Sequence, residues 1–122
     1  MTLENHLVTL IGNRMVSDRR QHDIVFRAIA DPTRRRILGL LRGRHHTVGE
    51  IAGHFSMSRP AVSKHIRLLR SAGLVISRRE GTASRCSLNA RPLRAVDGWL
   101  RNYEAFWAET LQGLKSYMEN KR

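Results

Sequence analysis

Apolar residues recur along this chain mostly three and four positions apart, the spacing of one face of an α-helix. Residues 1–16 set Leu3, Leu7, Leu10, Ile11 and Met15 on such a stripe with Asn5, Asn13 and Arg14 off it. That predicts a short amphipathic helix, too short to be stable without a partner surface. Ser17–His22 is polar and reads as a joint. The period resumes at Asp23 with Ile24, Val25, Ala28 and Ile29, until Asp31-Pro32 interrupts it. Asp31 suits an N-cap and Pro32 the first helical position. The next helix, Thr33 to Leu41, turns Ile37, Leu38, Leu40 and Leu41 inward and leaves Arg34 and Arg35 in solvent. Arg42–His46 is a basic turn. Thr47 with Glu50 three residues on has capping-box spacing, opening a helix through Ile51, Ala52 and Phe55.

Ser56-Met57 makes the next turn, and Ser58–Gly73 is the best-punctuated helix in the chain. Ser58 is its N-cap, Pro60 sits in the first turn where a missing N–H costs little, and Gly73 suits the left-handed closing position. Val62, Ile66 and Leu69 form the stripe to be buried. Arg59, Ser63, Lys64, Arg67 and Arg70 form the opposite stripe, which carries no acid. Two short helices joined by a few residues, the second with a cationic, hydrogen-bonding face, make a helix-turn-helix whose second helix suits the DNA major groove. His65 lies nearer the buried stripe and reads as a core-edge histidine.

After Gly73 the period changes. Leu74–Glu80 is β-branched and alternating, Gly81-Thr82-Ala83 turns, and Ser84–Leu88 returns, a hairpin carrying Arg78, Arg79 and Arg85 as a basic wing. Asn89–Pro92 then lead into one long C-terminal helix. Leu93, Val96, Leu100, Tyr103, Trp107, Leu111, Leu114 and Met118 step by three and four, with Trp99 and Phe106 widening the stripe. About eight turns of so apolar a surface are too long to close the chain's own core, which predicts burial against a second copy.

Composition sharpens this picture chiefly through charge. The chain has 122 residues, one domain's worth, and a net charge of +12. Residues 14–94 hold 18 basic and 5 acidic side chains, whereas 95–122 hold four of each. A basic body beside a neutral, apolar tail indicates a polyanion-binding part and a separate association element. The divisions are therefore a single domain over 1–122, with an N-terminal helical extension (1–22), a DNA-binding core (23–91) and a dimerisation helix (92–120). No run of about 18 apolar residues predicts a membrane span, and no basic-then-apolar leader predicts secretion. The single cysteine, Cys86, excludes an internal disulfide framework and fits a reducing cytoplasm, with the protein on the nucleoid when bound to DNA. No nucleophile–base spacing, phosphate loop or carboxylate pair marks an enzyme.

Asp31–Leu38, the Thr47–Phe55 helix, Ser58–Gly73 and the Glu80-Gly81 wing together resemble the ArsR-type winged helix-turn-helix transcriptional repressors, over roughly residues 23–118. The segment Trp99–Trp107 is similar to the metal-independent branch of that family. The resemblance implies a mainly α winged helix-turn-helix fold with a small β-hairpin, dimerising through the long C-terminal and N-terminal helices. It implies a homodimeric bacterial repressor of an operon, bound to a palindromic operator, with Arg59, Pro60, Ser63 and Lys64 at the DNA and the wing on flanking backbone. The metal-sensing members carry paired cysteines where this chain has Thr47-Val48-Gly49, or Asp and His pairs on the last helix, where Asp97 stands without any histidine after residue 65. Cys86 is alone and His45-His46 is at most an adventitious site, so no cofactor is expected.

The expected DNA contacts are thus Arg59, Pro60, Ser63 and Lys64, with Arg67 and Arg70 on the backbone, Thr47 at the preceding cap, and Arg78, Arg79 and Arg85 on the wing. Arg59, at the head of the helix, is the expected base reader, because arginine pairs bidentately with guanine, whereas Ser63 and Lys64 lie within reach of base edges and suit phosphate equally. The expected dimer contacts are Leu93, Val96, Trp99, Leu100, Tyr103, Phe106, Trp107, Leu111 and Leu114. The expected partners are double-stranded DNA and a second copy, with no membrane and an unspecified effector. The competing class is a nucleic-acid-binding or architectural protein without sequence preference, using charge alone.

Overall fold

The computed structural model describes residues 19–120, so the helix expected over 1–16 lies outside the described residues. Helix α1 occupies residues 19–30, α2 Pro32–Leu40, α3 Val48–Ala52 and α4 Arg59–Ser71. Strand β1 is His46–Thr47, β2 Val75–Glu80 and β3 Ala83–Leu88; a 3₁₀ turn at Arg91–Leu93 then leads into α5, Arg94–Arg101, and α6, Glu104–Asn120. The architecture is a mainly helical winged helix-turn-helix with a small antiparallel sheet of order β1-β3-β2.

Local chemistry sets most of these boundaries. The Asp31 carboxylate accepts the Arg34 N–H at 3.0 Å, and Pro32 opens α2. The Thr47 hydroxyl accepts the Glu50 N–H at 3.1 Å while the Glu50 side chain reaches back to the Thr47 N–H, completing the capping box of α3. The Ser58 hydroxyl accepts the Ala61 N–H at 3.3 Å. At the far end of α4, Gly73 takes φ +76°, its N–H donates to the Arg70 carbonyl and the Leu74 N–H donates to the Leu69 carbonyl. That is a Schellman closure, which a residue with a Cβ enters only with strain. Gly81, at φ +60°, is the first of two loop residues between the Glu80–Ala83 pair; with no positive φ at Thr82, the wing turn is of the II′ kind.

The core lies where the four helices meet the sheet. Val25 and Ala28 from α1, Ile37 and Leu38 from α2, Ile51 from α3, and Val62, Ile66 and Leu69 from α4 are buried with Leu41, Ala72, Leu74, Val75 and Cys86. Truncating a fully buried member such as Ile37 or Leu69 to alanine would cost about 2–5 kcal/mol.

Several expectations need correction. Residues 19–22 are helical instead of a joint: Arg19, Arg20 and Gln21 are good helix formers, and Gln21 also donates to the Ala72 carbonyl at 3.4 Å. Helix α3 stops at Ala52, not Phe55, and tight turns donate His54 N–H to Ile51 and Phe55 N–H to Ala52. His46 leaves the basic turn to pair with Cys86, which makes the sheet three-stranded. The single long C-terminal helix is two helices. At the break, Asn102 N–H donates to the Trp99 carbonyl and Tyr103 N–H to Leu100, i→i+3 bonds that tighten the chain and redirect it.

Candidate nucleic-acid interface

Helix α4 divides as its sequence predicts. Val62, Ile66 and Leu69 are buried, whereas Arg59, Pro60, Lys64, Arg67 and Arg70 are exposed and Ser63 is half-buried. His65 is half-buried at the edge between the stripes, where its Nδ1 lies 3.2 Å from the Arg34 guanidinium and 3.9 Å from the Asp31 carboxylate. These contacts fix α4 against the start of α2. The N–H of Arg34, then the charges of Arg34 and His65, hold the Asp31 carboxyl below its ordinary range.

The expected basic residues differ sharply in what they touch. The charged groups of Arg59, Lys64, Arg67, Arg70, Arg78 and Arg79 have no hydrogen-bond or ion-pair partner among the described residues. Arg85 does: its Nε donates to Glu80 Oε2 at 2.9 Å, diagonally across the wing, and its Nη1 sits 2.8 Å from His45 Nδ1. Arg85 is therefore a neutralised strut of the wing, not a free cation. It stands opposite Arg78 in the strand register, where two unscreened like charges would repel. Thr47 is also occupied, since its hydroxyl donates to Glu50 Oε1 at 3.1 Å; this bond and the Thr47 N–H lower the Glu50 carboxyl.

Arg35 is exposed as expected and Arg34 is half-buried, but both guanidinium groups are spent on backbone carbonyls. Arg34 donates to the carbonyls of Ala28 at 2.7 Å and Arg27 at 2.9 Å, and Arg35 to those of Ile29 at 2.8 Å and Ala30 at 3.0 Å. These are the last four carbonyls of α1, the ones a helix cannot satisfy itself. Arg36 stacks over the Phe55 ring at 4.7 Å.

A polar groove runs between the head of α4 and the wing turn, lined by Thr47, Val48, Gly49, Arg59, Ser63 and Thr82 to Ser84. Gly49, Thr82 and Ser84 were not singled out from sequence. Their only signal is small and hydroxyl-bearing residues beside a turn, too common a pattern to select them.

Leu93 and Val96 pack on the chain's own core, so they close α5 onto its own domain. Leu100 is half-buried. The remaining expected dimer residues stand in solvent: Trp99 and Trp107 are 49% exposed, Leu114 54%, Leu111 65% and Phe106 66%, with Tyr103 at 42%. The Trp99 ring meets Phe26 of α1 edge-on at 5.7 Å and Tyr103 at 5.2 Å, so the aromatic surface runs from α1 onto α6. No group of three or more His, Cys, Asp or Glu among the described residues is placed to hold a metal ion. No helix among them is long and apolar enough to cross a membrane.

Residues 31–77 match the family model of bacterial regulatory proteins of the arsR family. The chain is 43% identical over 79 residues to the transcriptional repressor SdpR of Bacillus subtilis, covering 65% of this chain and 88% of that one. The chain belongs to the ArsR family. This ArsR-family protein is a winged helix-turn-helix DNA-binding regulator of transcription, not an enzyme. Its fold is similar to the crystal structure of an ArsR-family transcriptional regulator, with TM-score 0.68, 36% identity, and 74% and 93% of the two chains covered. It is also similar to a homodimeric winged helix-turn-helix DNA-binding domain from Mycobacterium bovis, with TM-score 0.62, 28% identity, and 75% and 88% coverage. In this ArsR-family chain α4 is thus the recognition helix and β2–β3 the wing.

Proposed function

We propose that the protein is a homodimeric repressor of a bacterial operon that binds a palindromic operator in the cytoplasm, in the manner of the metal-independent branch of its family. One observation carries this reading: one small domain presents both an unpartnered cationic face on α4 and an exposed aromatic stripe on α5 and α6. The first suits a polyanion and the second a copy of itself. The homodimeric M. bovis relative supports the second. Residues 23–91 form the DNA-reading part and 92–120 the dimerisation part. Lys64 faces base edges in the major groove, Arg67 and Arg70 follow phosphates, and Arg78 and Arg79 hold flanking backbone. Two such heads read half-sites about 34 Å apart or a multiple of that.

Titration of a palindromic duplex from the protein's own promoter and of a scrambled duplex, each at two salt concentrations, tests the reading. A specificity ratio of about 10³ or more is expected. A ratio near one would establish the architectural alternative instead. Changing Trp107 and Leu111 to glutamate should give monomers on a sizing column with greatly weakened operator binding.

A further inference from the structure

The groove between α4 and the wing has a chemistry that neither element shows alone. It holds about 390 Å³, and its lining contributes one cation, four hydroxyls and no carboxylate. The Thr47 hydroxyl is committed to the capping box. The Arg59 guanidinium and the hydroxyls of Ser63, Thr82 and Ser84 have no hydrogen-bond partner among the described residues. A guanidinium flanked by hydroxyl donors, with no acid in reach, suits the oxygens of a phosphate. Glu50 does not line the groove, being held by Thr47.

Gly49 accounts for the placement of Arg59. A Cβ built on Gly49 would stand 3.7 Å from Arg59 Nη2 and 4.0 Å from its Cζ. The guanidinium therefore lies against the bare backbone at the start of α3, in the notch facing the wing. Any side chain longer than alanine at position 49 would occupy that space.

The geometry points to a phosphodiester seat: Arg59, with Ser63, Thr82 and Ser84, takes a DNA backbone phosphate in this groove, and Gly49 is the positioning residue that keeps Arg59 there. The seat rests on the DNA-binding reading above and changes the task of Arg59. Its guanidinium fixes the register of the duplex and reads no base, leaving base readout to residues farther along α4, Lys64 foremost.

Fluorescence anisotropy on the full chain, with the promoter duplex and a scrambled duplex across a salt series, tests this. Arg59→Ala should weaken both duplexes by the same factor, roughly 10- to 100-fold at low salt, as for a lost hydrogen bond to a charged group. It should also reduce the slope of log K on log salt by about 0.9, one phosphate's worth. Arg59→Lys should restore the slope. Thr82→Val with Ser84→Ala should weaken both duplexes equally with the slope unchanged. Gly49→Val should reproduce Arg59→Ala, and the two together should add nothing beyond either. A loss confined to the promoter duplex with an unchanged slope would make Arg59 a base reader and overturn the seat, as would simply additive Gly49 and Arg59 losses. If Gly49→Val does not fold, judged by its thermal melt, Arg59→Ala and the wing pair decide the matter. A wild-type protein without preference for the promoter duplex would sink the operator reading, while the slope of Arg59→Ala would still decide the seat.

Discussion

Two groups of arginines in this protein have the same chemistry and opposite surroundings. In α2, Arg34 and Arg35 are wired to the four terminal carbonyls of α1 and Arg36 is stacked on Phe55. On α4 and the wing, Arg59, Arg67, Arg70, Arg78 and Arg79 end in solvent, with Lys64 among them. The first group lies within reach of a helix end, where the negative pole of the backbone is concentrated. The second lies along a helix flank and a strand pair, where backbone groups already bond one another. Charge in the first group holds the fold together. Charge in the second works against it by self-repulsion, until a polyanion arrives.

The contrast is tested first where its effect is largest. Arg34→Ala strands carbonyls of α1 in a partly buried joint and should cost about 1–3 kcal/mol in urea denaturation, while the salt dependence of DNA binding stays as in the wild type. An unchanged denaturation midpoint would erase the distinction between the two groups. Asp31→Ala removes the cap beneath that joint and should cost about 1 kcal/mol at neutral pH. Because the Asp31 carboxyl is held below 3.8 in the folded protein, its contribution is present above that pH and is lost as the pH falls through the lower folded value. The gap between wild type and Asp31→Ala should therefore close as the pH is taken below 3.8. Arg67→Ala should move stability by less than about 0.5 kcal/mol and weaken promoter and scrambled duplexes alike. The smallest effect is expected of Glu80→Gln, which releases Arg85: stability should barely change, since exposed pairs contribute about 0–1 kcal/mol, and the salt dependence of binding should steepen.

What was legible in the sequence is what the chain does within three or four residues of itself. Asp31, Thr47 and Ser58 cap the neighbouring N–H groups, Gly73 closes α4, and Val62, Ile66 and Leu69 share one face because the helical period puts them there. The partners of Arg34 and Arg35 are carbonyls of a different helix, which periodicity along one helix does not reveal; Arg35 stays exposed as its position predicts, while Arg34 is half-buried. The break at Asn102-Tyr103 escaped because one tight turn shifts the apolar stripe too little to interrupt its three-and-four rhythm, and no proline or glycine marks it. Strand β1 is two residues long and is a strand only because β3 lies beside it. The groove draws on α3, α4 and the wing, and no contiguous stretch of sequence encodes it.

The closure of α4 at Gly73 has a mechanical consequence. Asn89 donates its side-chain amide to the Gly73 carbonyl at 2.8 Å and its N–H to the Leu74 carbonyl at 2.9 Å, and a Cβ on Gly73 would stand 3.5 Å from Pro92. Asn89 and Pro92 are the last steps before α5. The tail of the recognition helix and the root of the aromatic arm are thus tied directly to each other. Torque applied to the arm is therefore delivered to α4 at the end of its thirteen residues farthest from Arg59.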